Sequence, residues 1–197
     1  MKLALRSLVP GIGLFPQSDH RCIECALNGD RRSFDELVVR YEGDLRAFVR
    51  RKVAESEVDD ILQDTWIAAW TALRGFDRRS RFKTWLIGIA LNKCRDHYRQ
   101  RPSTPEASLS EDGSDAAYLD SAFANTELGI AIREALAELS EAQREVLELY
   151  YFSGLNLVEI AGVLDRNINT VKYQFYRAHS DTATRLKASA AEGDYAQ

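Results

Sequence analysis

Asn156-Leu-Val-Glu-Ile-Ala-Gly-Val-Leu-Asp-Arg-Asn-Ile-Asn-Thr-Val-Lys-Tyr-Gln-Phe-Tyr-Arg-Ala178 is the stretch that decides the fold. At a helical period it divides in two. Leu157, Ile160, Ala161 and Leu164 share one side of a short helix that stops at the polar turn Asp165, Arg166, Asn167. Val171, Phe175 and Ala178 then face inward from a second helix. Its other side carries Asn169, Lys172, Tyr173, Tyr176 and Arg177. Two helices joined this way form a helix-turn-helix, whose second helix enters the major groove and brings its N-terminal half to base edges. The pattern points to double-stranded DNA as a partner; the plain alternative for the same spacing is a solvated helical hairpin.

Working outward, the flanking segments also read as helices, and the chain as all-α. No run of alternating strand residues appears, and glycine and proline are sparse. Ile130, Ile132, Leu136 and Leu139 give one helix; Ser140 and Gln143 form a capping box that opens the next; Asn156 and Glu159 repeat that box at the helix-turn-helix. Further upstream, Asp30 can cap a helix with Phe34, Leu37, Val38, Tyr41, Leu45, Phe48 and Val49 on one face. Ser56 and Asp59 resemble a cap pair for a third stripe, Ile61, Leu62, Thr65, Trp66, Ala69, Trp70 and Leu73, with both tryptophans expected in the core. Ser80 can cap a helix that turns Phe82, Trp85, Leu86, Ile89 and Ala90 inward; the alternative for Trp85 is a platform on which a base stacks. These readings give two small helical domains, 19–101 and 126–187, joined by an acidic flexible linker, 102–125. Residues 1–18 read as a flexible extension and 188–197 as a frayed tail.

Charge is unevenly distributed. The net charge of −4 disfavours a nucleic-acid binder, but the local pattern reverses that inference. Arg74, Arg78, Arg79, Arg81, Lys83, Lys93, Arg95, Arg99 and Arg101 face only Asp77 and Asp96, whereas 102–127 holds acidic residues and no Lys or Arg. A basic block beside an acidic tether suits a DNA-facing surface. Hydrophobic content of 45% and charged content of 28% are ordinary for a globular chain. No apolar run approaches the ~20 residues that cross a membrane. Three cysteines, Cys22, Cys25 and Cys94, make no disulfide framework, which points to the cytoplasm. His20, Cys22 and Cys25, with Cys94 and His97, have the chemistry of zinc ligands, but nothing in the spacing brings the two groups together. The reading calls for no metal and no cofactor. It calls for no enzyme either: His20, His97 and His179 sit in no catalytic motif, and no phosphate-binding glycine loop is present.

Two blocks together resemble a known family. Val58-Asp-Asp-Ile-Leu-Gln-Asp-Thr-Trp66, then Phe76-Asp-Arg-Arg-Ser-Arg-Phe-Lys-Thr-Trp-Leu-Ile-Gly-Ile-Ala-Leu-Asn92, resemble region 2 of extracytoplasmic-function sigma factors, in the sigma-70 family. Leu139-Ser-Glu-Ala-Gln-Arg-Glu-Val-Leu147 and the helix-turn-helix resemble region 4. The resemblance spans nearly everything from Leu27 to Leu186. It implies an alternative sigma factor that binds core RNA polymerase, recognises and opens promoter DNA, and is held in check by an anti-sigma protein. It implies that Asp60, Gln63 and Asp64 meet the clamp coiled coil of the polymerase. It assigns Arg78, Arg79, Arg81, Lys83, Asn92 and Arg95 to the minus-ten strand, where cations track the backbone and an amide reads an extruded base. It assigns Asn169, Lys172, Tyr173, Tyr176 and Arg177 to the minus-thirty-five element. The chain departs from the family at Asp165 and Asn169, where glycines are usual, and at Tyr173, Gln174 and His179. Two alternatives stay open: a sigma-like decoy for an anti-sigma protein, which has no need of the basic block, and a stand-alone helix-turn-helix regulator, which leaves the Asp60-Gln63-Asp64 face unexplained.

Overall fold

Local hydrogen bonds set the helix starts. Gly29 takes φ +98°, a left-handed turn that glycine allows without penalty. Asp30 follows and accepts from the Arg32 N–H at 3.1 Å and the Ser33 hydroxyl at 2.7 Å, so it caps the next helix. The computed structural model describes residues 18–100 and 126–194; expectations about 1–17, 101–125 and 195–197 lie outside the described residues. Within them the first set of helices is α1 (Asp19–Leu27), α2 (Arg31–Arg50), α3 (Val58–Ala72) and α4 (Phe82–Gln100). The second set is α5 (Glu127–Ala137), α6 (Glu141–Tyr151), α7 (Leu157–Leu164) and α8 (Ile168–Asp194). The described residues contain no strand.

The first set packs around Cys22, Ile23, Leu37, Leu45, Val49, Ile61, Leu62, Leu86, Ile87 and Ala90, all buried. Trp66 lies half-buried, edge-on to Phe34, and its indole N–H donates to Glu42 at 2.8 Å, which satisfies the ring's polar atom. Trp85 packs on Phe76 and Phe82, with ring centroids 4.9 and 5.5 Å away, as its spacing suggests. Trp70 corrects the expectation of burial: it is 42% exposed. It sits near the end of α3 and meets Phe34 edge to face, with ring centroids 4.9 Å apart, while much of the indole stays open to solvent.

Three more local readings change. Ser56 and Asp59 do not cap α3. A single 3-10 turn, Glu55–Glu57, precedes it, and the Glu57 carboxylate accepts from the Ala54 N–H at 3.2 Å. Asp59 is drawn instead to Arg46, at 2.6 Å. Ser80 does not cap α4; the Trp85 N–H bonds the Arg81 carbonyl at 3.1 Å, so Arg81 occupies the cap position. The final helix does not stop near Lys187 but runs to Asp194.

The second set follows the capping pattern. Ser140 and Gln143 close their box at the start of α6. Asn156 accepts from the Val158 and Glu159 N–H groups, both at 3.0 Å, and Glu159 accepts from the Asn156 N–H at 2.9 Å. α7 ends at Asp165 in a left-handed conformation, φ 51° and ψ 47°. Asn167 then caps α8, accepting from the Asn169 N–H at 2.8 Å. Val146, Leu149, Leu155, Ile160, Val171 and Ala178 are fully buried and hold the helix-turn-helix in place.

The two sets touch. α4 packs against α7, and a Cβ built on Gly88 would lie 3.9 Å from Val163 Cγ2, an ordinary van der Waals distance. This contact brings the acidic side chains of the second set onto the basic helix of the first.

Candidate nucleic-acid interface

Three surfaces emerge from this packing. The first is on α3. Ile61, Leu62, Thr65 and Ala69 turn into the core, so Asp60, Gln63 and Asp64 are left on the outer side within about one turn of one another. All three are exposed, and none forms a side-chain hydrogen bond or ion pair among the described residues. Ile67, one turn further on, is 57% exposed and extends the face with apolar surface.

The second surface is the exposed side of α8. Asn169, Lys172, Tyr173, Tyr176 and Arg177 all reach solvent, with Tyr173 at 69% exposure. Val171, Phe175 and Ala178 on the opposite side fix this orientation. Arg177 is lightly held by Asp181 at 3.2 Å, one turn away. Lys172 makes no ion pair among the described residues. Two large aromatic rings beside a free cation form a surface that can stack, donate hydrogen bonds and neutralise phosphate.

The third surface is α4 with the loop before it, and here the structure divides the basic residues. Arg78 takes φ 61°, an uncommon backbone for a non-glycine residue, and leans on His20 and Glu24 of α1. Arg79 reaches Asp77 at 3.2 Å and is otherwise exposed. Lys83 pairs with Asp44 of α2 at 2.7 Å. Asn92 is exposed and makes no side-chain hydrogen bond among the described residues.

Arg81 and Arg95 cross to the second set. Arg81 donates from Nε and Nη2 to the two oxygens of Glu159, each at 2.7 Å, and from Nη2 to the Gly154 carbonyl at 3.2 Å. The Thr84 hydroxyl donates to the same carboxylate at 2.8 Å. The Arg81 hydrogen bonds, with those of Asn156 and Thr84, hold the Glu159 carboxyl down at about 2 against the opposing effect of burial. Arg95 donates to Glu145 at 2.7 Å, and Arg166 meets the other oxygen of that carboxylate at 2.8 Å. Beside these, Lys52 pairs with Glu148, a carboxylate only 7% exposed, and the Arg51 guanidinium stacks over Phe152 at 4.4 Å. Burial pulls the Arg51 pKa down.

Sequence reasoning missed the roles of Arg51, Lys52, Glu145, Glu148 and Glu159 at this joint. Only the capping role of Glu159 is legible locally, because the joint partners lie far away along the chain. The cysteines resolve differently from a metal set. Cys22 and Cys94 are buried, and burial pushes both thiols up to about 11. His97 pairs with Glu57 at 3.1 Å. Among the described residues no three metal-ligating side chains gather.

Comparison with known proteins agrees with this architecture. Residues 37–104 match the family model of sigma-70 region 2, and residues 129–179 match that of sigma-70 region 4. The RNA polymerase sigma factor NccH of Alcaligenes xylosoxydans xylosoxydans is 35% identical over 182 residues, covering 88% of this chain and 97% of the relative. The ECF RNA polymerase sigma-E factor of Escherichia coli (strain K12) is 30% identical over 172 residues, covering 82% and 90%. Among solved structures, CnrH in complex with the cytosolic domain of CnrY superposes with a TM-score of 0.61 at 30% identity, over 87% of this chain and 99% of that one. The sigma factor RpoE in complex with the anti-sigma factor NepR from Bartonella quintana superposes at 0.58 and 26% identity, over 79% and 98%. With both regions matched in order and relatives aligned over most of its length, the chain belongs to the extracytoplasmic-function branch of the sigma-70 family, the subunits that bind core RNA polymerase and direct it to promoter DNA.

Proposed function

We propose that the three surfaces divide the work of initiation among named residues. Asp60, Gln63 and Asp64 dock 19–101 onto the polymerase clamp. Arg78, Arg79, Arg81, Lys83 and Arg95 track the opened minus-ten strand, and Asn92 reads an extruded base. Asn169, Lys172, Tyr173, Tyr176 and Arg177 hold the minus-thirty-five duplex through 126–187. Lys172 contacts phosphate, and Arg177 can pair bidentately with a guanine. The chain performs no chemistry of its own; it lends specificity and strand capture to the polymerase. It acts in the cytoplasm, where its template lies. No helix among the described residues is long and apolar enough to cross a membrane. An anti-sigma protein is its regulator, by analogy with the solved relative that carries one.

The observation that carries the docking role is the unpaired acidic face of α3. Most carboxylates on the described helices are tied to a cation, but Asp60 and Asp64 are not, and an exposed Ile67 adjoins them. The test is a titration of labelled full-length chain with core RNA polymerase. Asp60→Ala/Asp64→Ala should weaken binding about tenfold or more, as expected for complementary charges at an interface. Its circular dichroism should match the wild type, because both side chains are exposed. Unchanged affinity would remove the docking face from the account.

A further inference from the structure

The packing of the first set leaves an aromatic ring and a cation without a task. Trp70 is 42% exposed, and its indole N–H finds no acceptor among the described residues, whereas the Trp66 N–H is satisfied by Glu42 at 2.8 Å. Arg74 follows in the 3-10 turn Leu73–Gly75. It is exposed and makes no hydrogen bond or ion pair among the described residues. An open indole beside an unpaired guanidinium is surface that a bound ring and a bound anion would both stabilise.

The space beside them has the shape of a site. Between the end of α3 and the turn after α1 lies an open cleft of about 560 Å³, within the range of small-molecule pockets. Ala26 and Leu73, both buried, give it an apolar base. Asn28 lines it with an exposed side-chain amide that makes no hydrogen bond among the described residues. No carboxylate lines it. Two helices end here, and free terminal carbonyls would repel an anion. The closing turns occupy those carbonyls. The Asn28 N–H donates to the Glu24 and Cys25 carbonyls, each at 3.1 Å, and the Gly29 N–H to Ala26 at 3.0 Å. The Leu73 N–H donates to the Trp70 carbonyl, and the Phe76 N–H to Leu73 at 3.2 Å. The Arg74 guanidinium is then the dominant charge at the cleft, and it selects an anion.

We propose that this cleft is a nucleotide site: the base stacks on Trp70, its edge meets the Asn28 amide, and its phosphate pairs with Arg74. The three groups match the three parts of the ligand. An indole accepts the π-face of any base, an amide can donate and accept along a base edge, and a guanidinium holds phosphate through paired N–H groups. A free nucleotide and one nucleotide of a single strand share this chemistry. The second source rests on the reading that the neighbouring loop, 76–81, meets the opened strand.

Heteronuclear NMR of the isotope-labelled full-length chain tests the site, because three tryptophans give three indole N–H signals. Trp70→Phe identifies the signal of Trp70. The probes are ATP and a single-stranded pentadeoxyadenylate. The site requires that one of them shift the Trp70 signal saturably. Arg74→Ala should weaken that binding about tenfold, and Arg74→Lys should restore most of it, as for a lost and regained phosphate contact. Arg74 is exposed and touches nothing, so neither substitution threatens the fold. A response to ATP assigns a free nucleotide. A response to the oligonucleotide alone, weakened in the same way by Arg74→Ala, assigns a nucleotide of the strand. A Trp70 signal that moves with neither probe overturns the site, as does a shift that keeps its full affinity in Arg74→Ala. If the oligonucleotide moves only the Trp85 signal, the strand reading of 76–81 and α4 stands and the cleft is overturned.

Discussion

Glu159→Gln isolates the energy stored at the joint. Glu159 does two jobs: it accepts from the Asn156 N–H at 2.9 Å to cap α7, and it receives two bonds from Arg81 at 2.7 Å. Glutamine retains the first, but its amide nitrogen cannot accept from a guanidinium. The carboxyl pKa is lowered from 4.5 to about 2 in the folded chain. That corresponds to about 3.4 kcal/mol for all its stabilising partners together. Asn156 and Thr84 account for part of it, and Arg81 is 59% exposed, so solvent screens the pair. The substitution should therefore cost about 1–2 kcal/mol at pH 7. The folded pKa lies below the unfolded one, so the stabilisation is complete above about pH 4.5 and disappears as pH falls toward about 2. At pH 3 roughly three fifths of it is gone. Urea unfolding followed by far-UV circular dichroism, at pH 7 and pH 3, should show the gap between wild type and variant shrinking by more than half. No gap at pH 7, or an equal gap at both pH values, would refute the assignment of the low pKa to the Arg81 pair.

Three further outcomes follow from the fold. Asp165→Gly should raise stability by up to about 1 kcal/mol in urea unfolding, because glycine relieves the left-handed backbone at φ 51°; a loss would mean that the aspartate side chain supports the turn. Ile160→Ala should cost about 2–5 kcal/mol in the same assay, since the side chain is fully buried among the helices of the helix-turn-helix; a cost below that range would place Ile160 at the edge of the core. Lys172→Ala should leave the melting temperature unchanged and reduce the salt-dependence slope of duplex binding by about 1, the signature of one lost phosphate contact. An unchanged slope would take Lys172 off the DNA.

Some of this was legible in the sequence and some could not be. Asp30, Ser140 with Gln143, and Asn156 with Glu159 act where the spacing puts them, because a cap is a bond across two or three residues and needs no tertiary information. Where several cap formers crowd together, as at Ser56 to Asp60, spacing alone does not choose. α3 starts at Val58 and α4 at Phe82, each within two residues of the serine that spacing offers as its cap. Trp70 misled because periodicity reports which side of a helix a residue occupies, not whether another helix covers that position. The helix from Asp19 to Leu27 buries only Cys22, Ile23 and Ala26, too few positions to display a helical period of its own. The candidate surfaces divide the same way. The acidic face of α3 and the exposed side of α8 follow from helical spacing and were found. The joint did not follow, because Lys52 and Glu148 are 96 residues apart and nothing in either local sequence refers to the other.

The central claim is that this chain starts transcription by docking α3 on core polymerase. Run-off transcription tests it most directly, with purified core RNA polymerase, the promoter upstream of this protein's own gene, and wild-type chain beside Asp60→Ala/Asp64→Ala. The account predicts a transcript that depends on the chain and falls about tenfold or more in the variant, in line with a lost charge-complementary interface. A transcript of equal strength from the variant would contradict the docking face, and DNA binding without polymerase in the absence of any transcript would contradict initiation itself.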